Sequence, residues 1–278
     1  MIQFDNLSYR YKRGPLALDN LNAAIGPGIH LLLGENGAGK TTLLHIIGGL
    51  RMAIPAHSCT IDGEATALRN PSVLEKTFVL TDEMMFPYGN INQMVRHHAP
   101  FYPRFDAEML RANLDSFGMT GLEPIDHFSL GNRKKAQLAY VLALRPEVLL
   151  LDEPANGLDI SARHTLLQML ARCVGEDQTV IISTHTVWDF QNLFDGVMML
   201  RQGQLVMCDS LWNISSKIAF VGGSEPIDGA IYMQQSIGHY EAIVPNPDGS
   251  LQTNIDFVLL YNALQSDKAS QILSIINS

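Results

Sequence analysis

The chain has 278 residues, of which 46% are hydrophobic and 17% charged, enough for one large domain or for one domain with an appendix. A formal net charge of −9 without blocks of like charge argues against nucleic acid as a partner. Cys59, Cys173 and Cys208 are scattered without CxxC spacing, which fits a reducing compartment, and no apolar run is long enough to cross a bilayer.

In chain order, residues 1–28 read as short antiparallel strands at 2–4, 7–11 and 18–25, the last closed by Gly26-Pro27-Gly28. No signal sequence precedes the first of them, so a cytosolic location is expected. The apolar run Ile29-His30-Leu31-Leu32-Leu33 is a buried strand leading into a glycine-rich loop and a helix that ends at Gly48-Gly49. Strands are expected at 58–61 and 76–81, and mostly helix over 90–145, broken at Pro100, Pro103 and Pro124. The wholly apolar stretch 148–151 suits a parallel sheet core. A helix over about 161–174, a buried strand at 179–184 and a hairpin across Gln202-Gly203 follow. This alternation predicts an α/β sheet with an antiparallel edge and a helical insertion. Beyond about residue 213 turn clusters at 222–224 and 245–247 flank strand-like pieces at 230–234 and 240–244. Amphipathic helices at 255–264 and 269–276 complete a small α/β appendix without a chemical motif.

Residues 34–42 read Gly-Glu-Asn-Gly-Ala-Gly-Lys-Thr-Thr, a P-loop. Gly34, Gly37 and Gly39 allow the chain to turn its N–H groups inward, and Asn36, Ala38 and Thr42 complete the cradle. Lys40 can reach the β- and γ-phosphates, and the Thr41 hydroxyl can ligate Mg²⁺. The strand 148–151 delivers Asp152 and Glu153 at its C-terminal end, where ligands gather in open α/β sheets. Asp152 suits Mg²⁺, and Glu153 suits proton acceptance from an attacking water. The plain alternative is a polar pair that merely ends a strand.

Phe128-Ser129-Leu130-Gly131-Asn132 opens a helix at Arg133-Lys134-Lys135, a basic stretch that ordinarily forms a solvated face. The order of P-loop, serine-glycine segment, apolar strand with Asp-Glu and a lone histidine resembles the ABC-family ATPases over about residues 1–213. The family signature is usually Leu-Ser-Gly-Gly-Gln; this chain keeps Ser129 and Gly131 and carries Phe128, Leu130 and Asn132 at the other positions. The resemblance implies a P-loop NTPase core with an N-terminal antiparallel β subdomain. It places a helical insertion at about 84–145 and leaves 214–278 as a small C-terminal extension. It also implies ATP and Mg²⁺ as ligands, and a homodimer or pseudo-dimer in which Ser129 and Gly131 cap the γ-phosphate held by the opposite subunit.

Further implications fall on single residues. Residues 154–159 resemble the D-loop, with Asp159 at the dimer interface, and His185 resembles the switch histidine on the γ-phosphate. Tyr11 resembles the aromatic that stacks on adenine, with Tyr9 as its rival and strand packing as the plain reading of both. The family's Mg²⁺-sensing glutamine is replaced by Asp82, which can still ligate a metal by oxygen but cannot donate a hydrogen bond when ionised. Met84, Met85, Phe86, Tyr88 and Met94 either border a groove for a helix of a membrane subunit or belong to the core of the insertion. The 101–106 segment and the C-terminal extension resemble single-domain ATPase subunits of bacterial exporters. The expected protein is thus an ATPase driving a separate polytopic membrane subunit from the cytoplasmic face. The alternatives are a soluble ABC ATPase outside transport and a low-turnover regulatory module.

Overall fold

The computed structural model describes residues 1–12, 14–82, 87–184 and 193–278. Strand β1 (Ile2–Arg10) pairs antiparallel with β2 (Leu16–Ile25) in one continuous ladder instead of two short pieces. Asn6 takes φ 52°, and the register shifts between Phe4 and Leu7. A bulge therefore absorbs the polar interruption that suggested a break. The core strand β3 (Gly28–Leu33) follows, then α1 (Lys40–Ile47), β4 (Cys59–Ile61), β5 (Glu64–Ala65), α2 (Pro71–Leu74) and β6 (Thr77–Leu80). The insertion holds α3 (Ile91–His97), α4 (Ala107–Ser116) and α5 (Leu130–Leu144). Next come β7 (Val148–Asp152), α6 (Ile160–Cys173), β8 (Thr179–Ser183), β9 (Gly196–Arg201) and β10 (Gln204–Ser210).

Two sheets frame this part. One has the order β2-β1-β4-β5 and is antiparallel. The other runs β10-β9-β3-β8-β7-β6, parallel throughout except at the edge strand β10, which is the α/β arrangement expected. The central strands β7 and β8 are buried at every position, as strands covered on both faces must be. Because β3 and β7 are separated only by β8, their C-terminal ends bring the glycine loop and Asp152 to one rim.

The helix α5 departs from the solvated face that its three basic residues suggest. From Ala136 to Leu144 every residue is buried, because that stretch is apolar on all sides except for Gln137. Even Lys134, in the basic part, is only 5% exposed. Met94 is buried within the insertion and belongs to its packing, whereas Tyr88 is half-buried and stacks on the exposed His97 at 5.4 Å. Met84, Met85 and Phe86 lie outside the described residues.

The C-terminal segment contains α7 (Leu211–Lys217), a sheet of β11 (Ile218–Gly223), β12 (Tyr232–Ser236) and β13 (His239–Pro245) in the order β11-β13-β12, then α8 (Phe257–Gln265) and α9 (Ala269–Ile276). Strand β11 is hidden in the sequence behind its Gly222-Gly223 ending. A Cβ at Gly222 would lie 2.6 Å from His239 Nε2, so the glycine serves a close cross-strand approach and not a turn. The buried residues of α8 and α9 join the same apolar cluster as Leu31, Leu33, Val197 and Met199 of the large sheet.

Burial governs the cysteines. It pushes the Cys59 thiol up to about 12 against a hydrogen bond to Thr66, and, with Asp209 nearby, the Cys208 thiol up to about 11. Cys173 is buried as well. At about pH 8 the folded protein is expected to resist alkylation, with all sites reacting once it is unfolded in guanidinium, as read by intact mass. Rapid native labelling of Cys59 would contradict this packing.

Candidate functional site

Gly34–Gly39 joins β3 to α1. Gly39 has φ 110°, and a Cβ there would meet Leu18 Cδ2 at 2.6 Å and the Ala17 carbonyl at 2.8 Å. Only glycine makes that turn against the β2 strand. Gly37, at φ 83°, has nothing within 4 Å of where a Cβ would point, so the loop leaves open space on that side. No side chain caps the N-terminus of α1. Its first N–H groups are therefore available to an anion, reinforced by the positive end of the helix dipole.

The loop lines a cavity of about 400 Å³ together with Tyr11, Lys40, Thr41, Thr42, Asp82, Asp152 and Glu153. Asn36, Gly37 and Gly39 line it too. Gly34 and Ala38 are not part of that lining. A Cβ at Gly34 would sit 2.7 Å from the Leu200 carbonyl, and the Ala38 carbonyl accepts from Gly203 N–H at 3.1 Å. These two positions seat the loop on the β9–β10 hairpin.

Lys40 Nζ donates to the Gly34 carbonyl at 2.6 Å and to the Glu35 carbonyl at 3.2 Å. Burial lowers its pKa, with Glu153 and Asp152 pulling the other way. Thr41 Oγ1 donates to Asp152 Oδ2 at 2.7 Å. The other oxygen of the buried Asp152 accepts from the Ser183 hydroxyl. Ser183 faces Asp152 in the β7–β8 register. Glu153 follows with φ 48° and donates its backbone N–H to the Ser183 carbonyl at 3.0 Å. A non-glycine residue in the left-handed region at a cavity rim is stored strain of the kind found at working sites.

Tyr11 stands at the mouth, sharing a 2.9 Å hydrogen bond with the Thr42 hydroxyl. The Arg51 guanidinium lies 4.9 Å from the centre of its ring. Tyr9 takes the hydrogen bond from Arg51 and meets Tyr11 edge-on at 5.0 Å, which leaves Tyr11 as the ring at the cavity.

Asp82 also lines the cavity, but its carboxylate is already engaged. Oδ1 pairs with Lys134 Nζ at 3.1 Å, and Oδ2 accepts from Asn156 Nδ2 at 2.9 Å. Ser129, Gly131 and Asp159 lie away from this cavity. Ser129 caps α5 through Asn132 N–H at 3.2 Å, and Asp159 caps α6 through Ala162 N–H at 2.8 Å. That bond, and then Lys135 at 3.2 Å, hold the Asp159 carboxyl below its usual range. A Cβ at Gly131 would sit 3.3 Å from the Gly157 carbonyl, so the two turns are in close contact. Beside them Leu130 is 81% and Ile160 88% exposed. His185 lies outside the described residues.

Sequence reasoning did not find Ser183, Lys134 or Arg51. A polar residue closing an apolar strand was the available signal for Ser183. Lys134 and Arg51 had none, since their partners are distant in the chain. Among the described residues no cluster of three or more His, Cys, Asp or Glu could hold a metal by itself. The Thr41–Asp152 oxygen pair beside the open loop nevertheless fits a hard divalent cation carried in with phosphates, which supply the remaining ligands.

The ABC transporter family model matches residues 18–156. An energy-coupling factor transporter ATP-binding protein of Methanothermobacter thermautotrophicus is 31% identical over 223 residues, covering 74% of this chain and 70% of that protein. A solved structure of a candidate cobalt transport ATP-binding protein shares the fold, with TM-score 0.66 and 23% identity over 99% of this chain and 100% of its own. A dimeric ATP-binding cassette bound to ADP and phosphate in a post-hydrolysis state aligns with TM-score 0.62 and 23% identity, over 76% of this chain and 99% of that one.

Proposed function

This chain belongs to the ABC transporter family as an ATP-binding subunit, and from that premise we propose that two copies sandwich ATP, hydrolyse it and drive a separate polytopic membrane subunit. The reaction is ATP and water to ADP and phosphate, with Mg²⁺. One observation carries the assignment of residues. Lys40, Thr41, Asp152 and Glu153 converge on one cavity beside the glycine loop, while Ser129 and Gly131 lie off it.

In this reading Lys40 exchanges the carbonyls of Gly34 and Glu35 for the β- and γ-phosphate oxygens, a stronger charge-assisted contact. Thr41 and Asp152 hold the Mg²⁺ that offsets phosphate charge when bound. Ser183 keeps Asp152 oriented through its second oxygen. Glu153 accepts the proton of the attacking water, and His185 steadies the γ-phosphate. Tyr11 stacks on the adenine. The second copy supplies Ser129 Oγ, Gly131 N–H and the α5 N-terminus to the developing charge, and Asp159 lies at the seam. The exposed Leu130 and Ile160 support that seam, since dimerisation would cover them. The dimeric post-hydrolysis relative supports the same arrangement.

ATP closes the pair and product release opens it, a two-state cycle that the membrane subunit reads. Among the described residues no helix is long and apolar enough to cross a membrane. Membership of the family supports passing the work to a separate membrane chain at the cytoplasmic face. The proposed activity carries no direction. The expectation of export rests on the 101–106 segment and the C-terminal extension, whereas the relative at 31% identity bears an energy-coupling factor name.

A second reading, a nucleotide-binding module of low turnover, is favoured by the engaged Asp82 carboxylate alone. Phosphate release from Mg·ATP, followed as a function of protein concentration, separates the two. A specific rate that grows with concentration supports the two-copy ATPase, and absence of turnover at every concentration supports the module.

A further inference from the structure

The C-terminal segment carries no chemical motif, yet it touches the phosphate loop. Glu35 N–H donates to the Tyr261 hydroxyl at 3.0 Å, a bond between residues 226 positions apart. The carbonyl of the same residue accepts from Lys40 Nζ. Glu35 is thus held on both sides, by α8 through its N–H and by the P-loop lysine through its C=O.

Helix α8 is firmly seated. Asp256 caps it by accepting from Val258 and Leu259 N–H at 2.9 Å each. Phe257, Leu259, Leu260, Ala263 and Leu264 are buried in the cluster that contains Leu33, the last residue before the loop. Phe257 meets Phe194 edge-on at 6.0 Å. Phe194 lies in the connection between β8 and β9, the same connection that carries His185. One helix therefore contacts both the first turn of the phosphate loop and the chain that returns from the histidine.

We propose that α8 braces the nucleotide site and that the Tyr261 hydroxyl is a positioning residue for the P-loop. The inference rests on the reading of that loop as the phosphate site. A free glycine-rich loop samples many conformations, and only some present their N–H groups inward. Tethering Glu35 raises the fraction that is competent. Apparent affinity scales with that fraction, so the tether tightens binding without touching the nucleotide. Linkage then requires nucleotide to stabilise the seating of α8 in return.

Tyr261→Phe keeps the ring and removes only the hydroxyl. In nucleotide-free protein, hydrogen exchange of the Glu35 amide is expected to quicken roughly 2- to 10-fold, the range for losing one hydrogen bond. The Kd for ADP should rise by a similar factor, with kcat at saturating Mg·ATP little changed. In the wild type, ADP should slow exchange across α8, and in Tyr261→Phe that protection should shrink; a purely structural tyrosine would leave it unmoved. Unchanged exchange at Glu35 in the variant would overturn the brace, as would faster exchange with an unaltered Kd. A wild-type protein that binds no nucleotide would instead overturn the reading of the site, and the exchange rate at Glu35 would still decide whether Tyr261 holds the loop.

Discussion

Glu153→Gln is expected to slow ATP hydrolysis by about 10²- to 10⁴-fold, the usual contribution of a positioned general base, while ATP binding survives. The substitution is isosteric and preserves the left-handed backbone at φ 48°, since glutamine meets the same steric cost there as glutamate. It leaves Lys40, Thr41 and Asp152 untouched, so the phosphate and Mg²⁺ contacts remain. With hydrolysis blocked, the variant should accumulate as an ATP-bound dimer on size-exclusion chromatography and fall back to monomer with ADP. Turnover within a few-fold of the wild type would remove Glu153 from the role of base. The assignment draws on position, because Glu153 is the first residue beyond β7 and lines the same cavity as Lys40.

Asp82→Ala is expected to cost about 1–3 kcal/mol of stability, and Lys134 is the reason. Its side chain is 6% exposed, whereas that of Asp82 is 42% exposed. Solvent-exposed pairs contribute roughly 0.2–1 kcal/mol, and breaking a fully buried pair costs roughly 3–5 kcal/mol, so a pair buried on one side falls between. The cost arises from leaving the lysine desolvated without its anion. Removing that cation as well, in Asp82→Ala/Lys134→Met, should restore much of the loss, giving a double-mutant cycle with a clear coupling energy in denaturant titrations. Additive single effects would show that the ion pair contributes nothing. Hydrolysis offers a second readout, because Asp82 links the cavity to α5 through Lys134 and to the 154–159 loop through Asn156. Identical ATPase rates in wild type, Asp82→Gln and Asp82→Ala would exclude Asp82 from the cycle.

The sequence was legible where a pattern is local. The glycine loop, Lys40, Thr41 and the Asp152-Glu153 pair are local patterns, each fixed by a strand running into a turn, and they could be read without a partner. The parallel core was legible for the same reason, because β7 and β8 are short and wholly apolar. Contacts that close over long separations were not. Asp82 could be read as an oxygen ligand, but its pairing with Lys134 could not, because Lys134 is buried on a helix whose basic start suggested solvent. Ser183 became visible only when register set it beside Asp152. Strand β11 was obscured because Gly222, read as part of a turn, serves the close approach of His239. Tyr261 had no signal at all, since one hydroxyl on an amphipathic helix is silent until the fold brings it to Glu35.

Ser129 and Gly131 lie apart from the cavity whose phosphate they are proposed to cap, so one copy is proposed to hold only half of a catalytic site. Phosphate release from Mg·ATP across a wide range of protein concentrations tests it most directly. A specific rate that climbs with concentration and then saturates as dimers fill is expected, together with loss of turnover when Mg²⁺ is chelated. A specific rate independent of concentration down to fully monomeric protein would contradict it, because the single copy would then be complete.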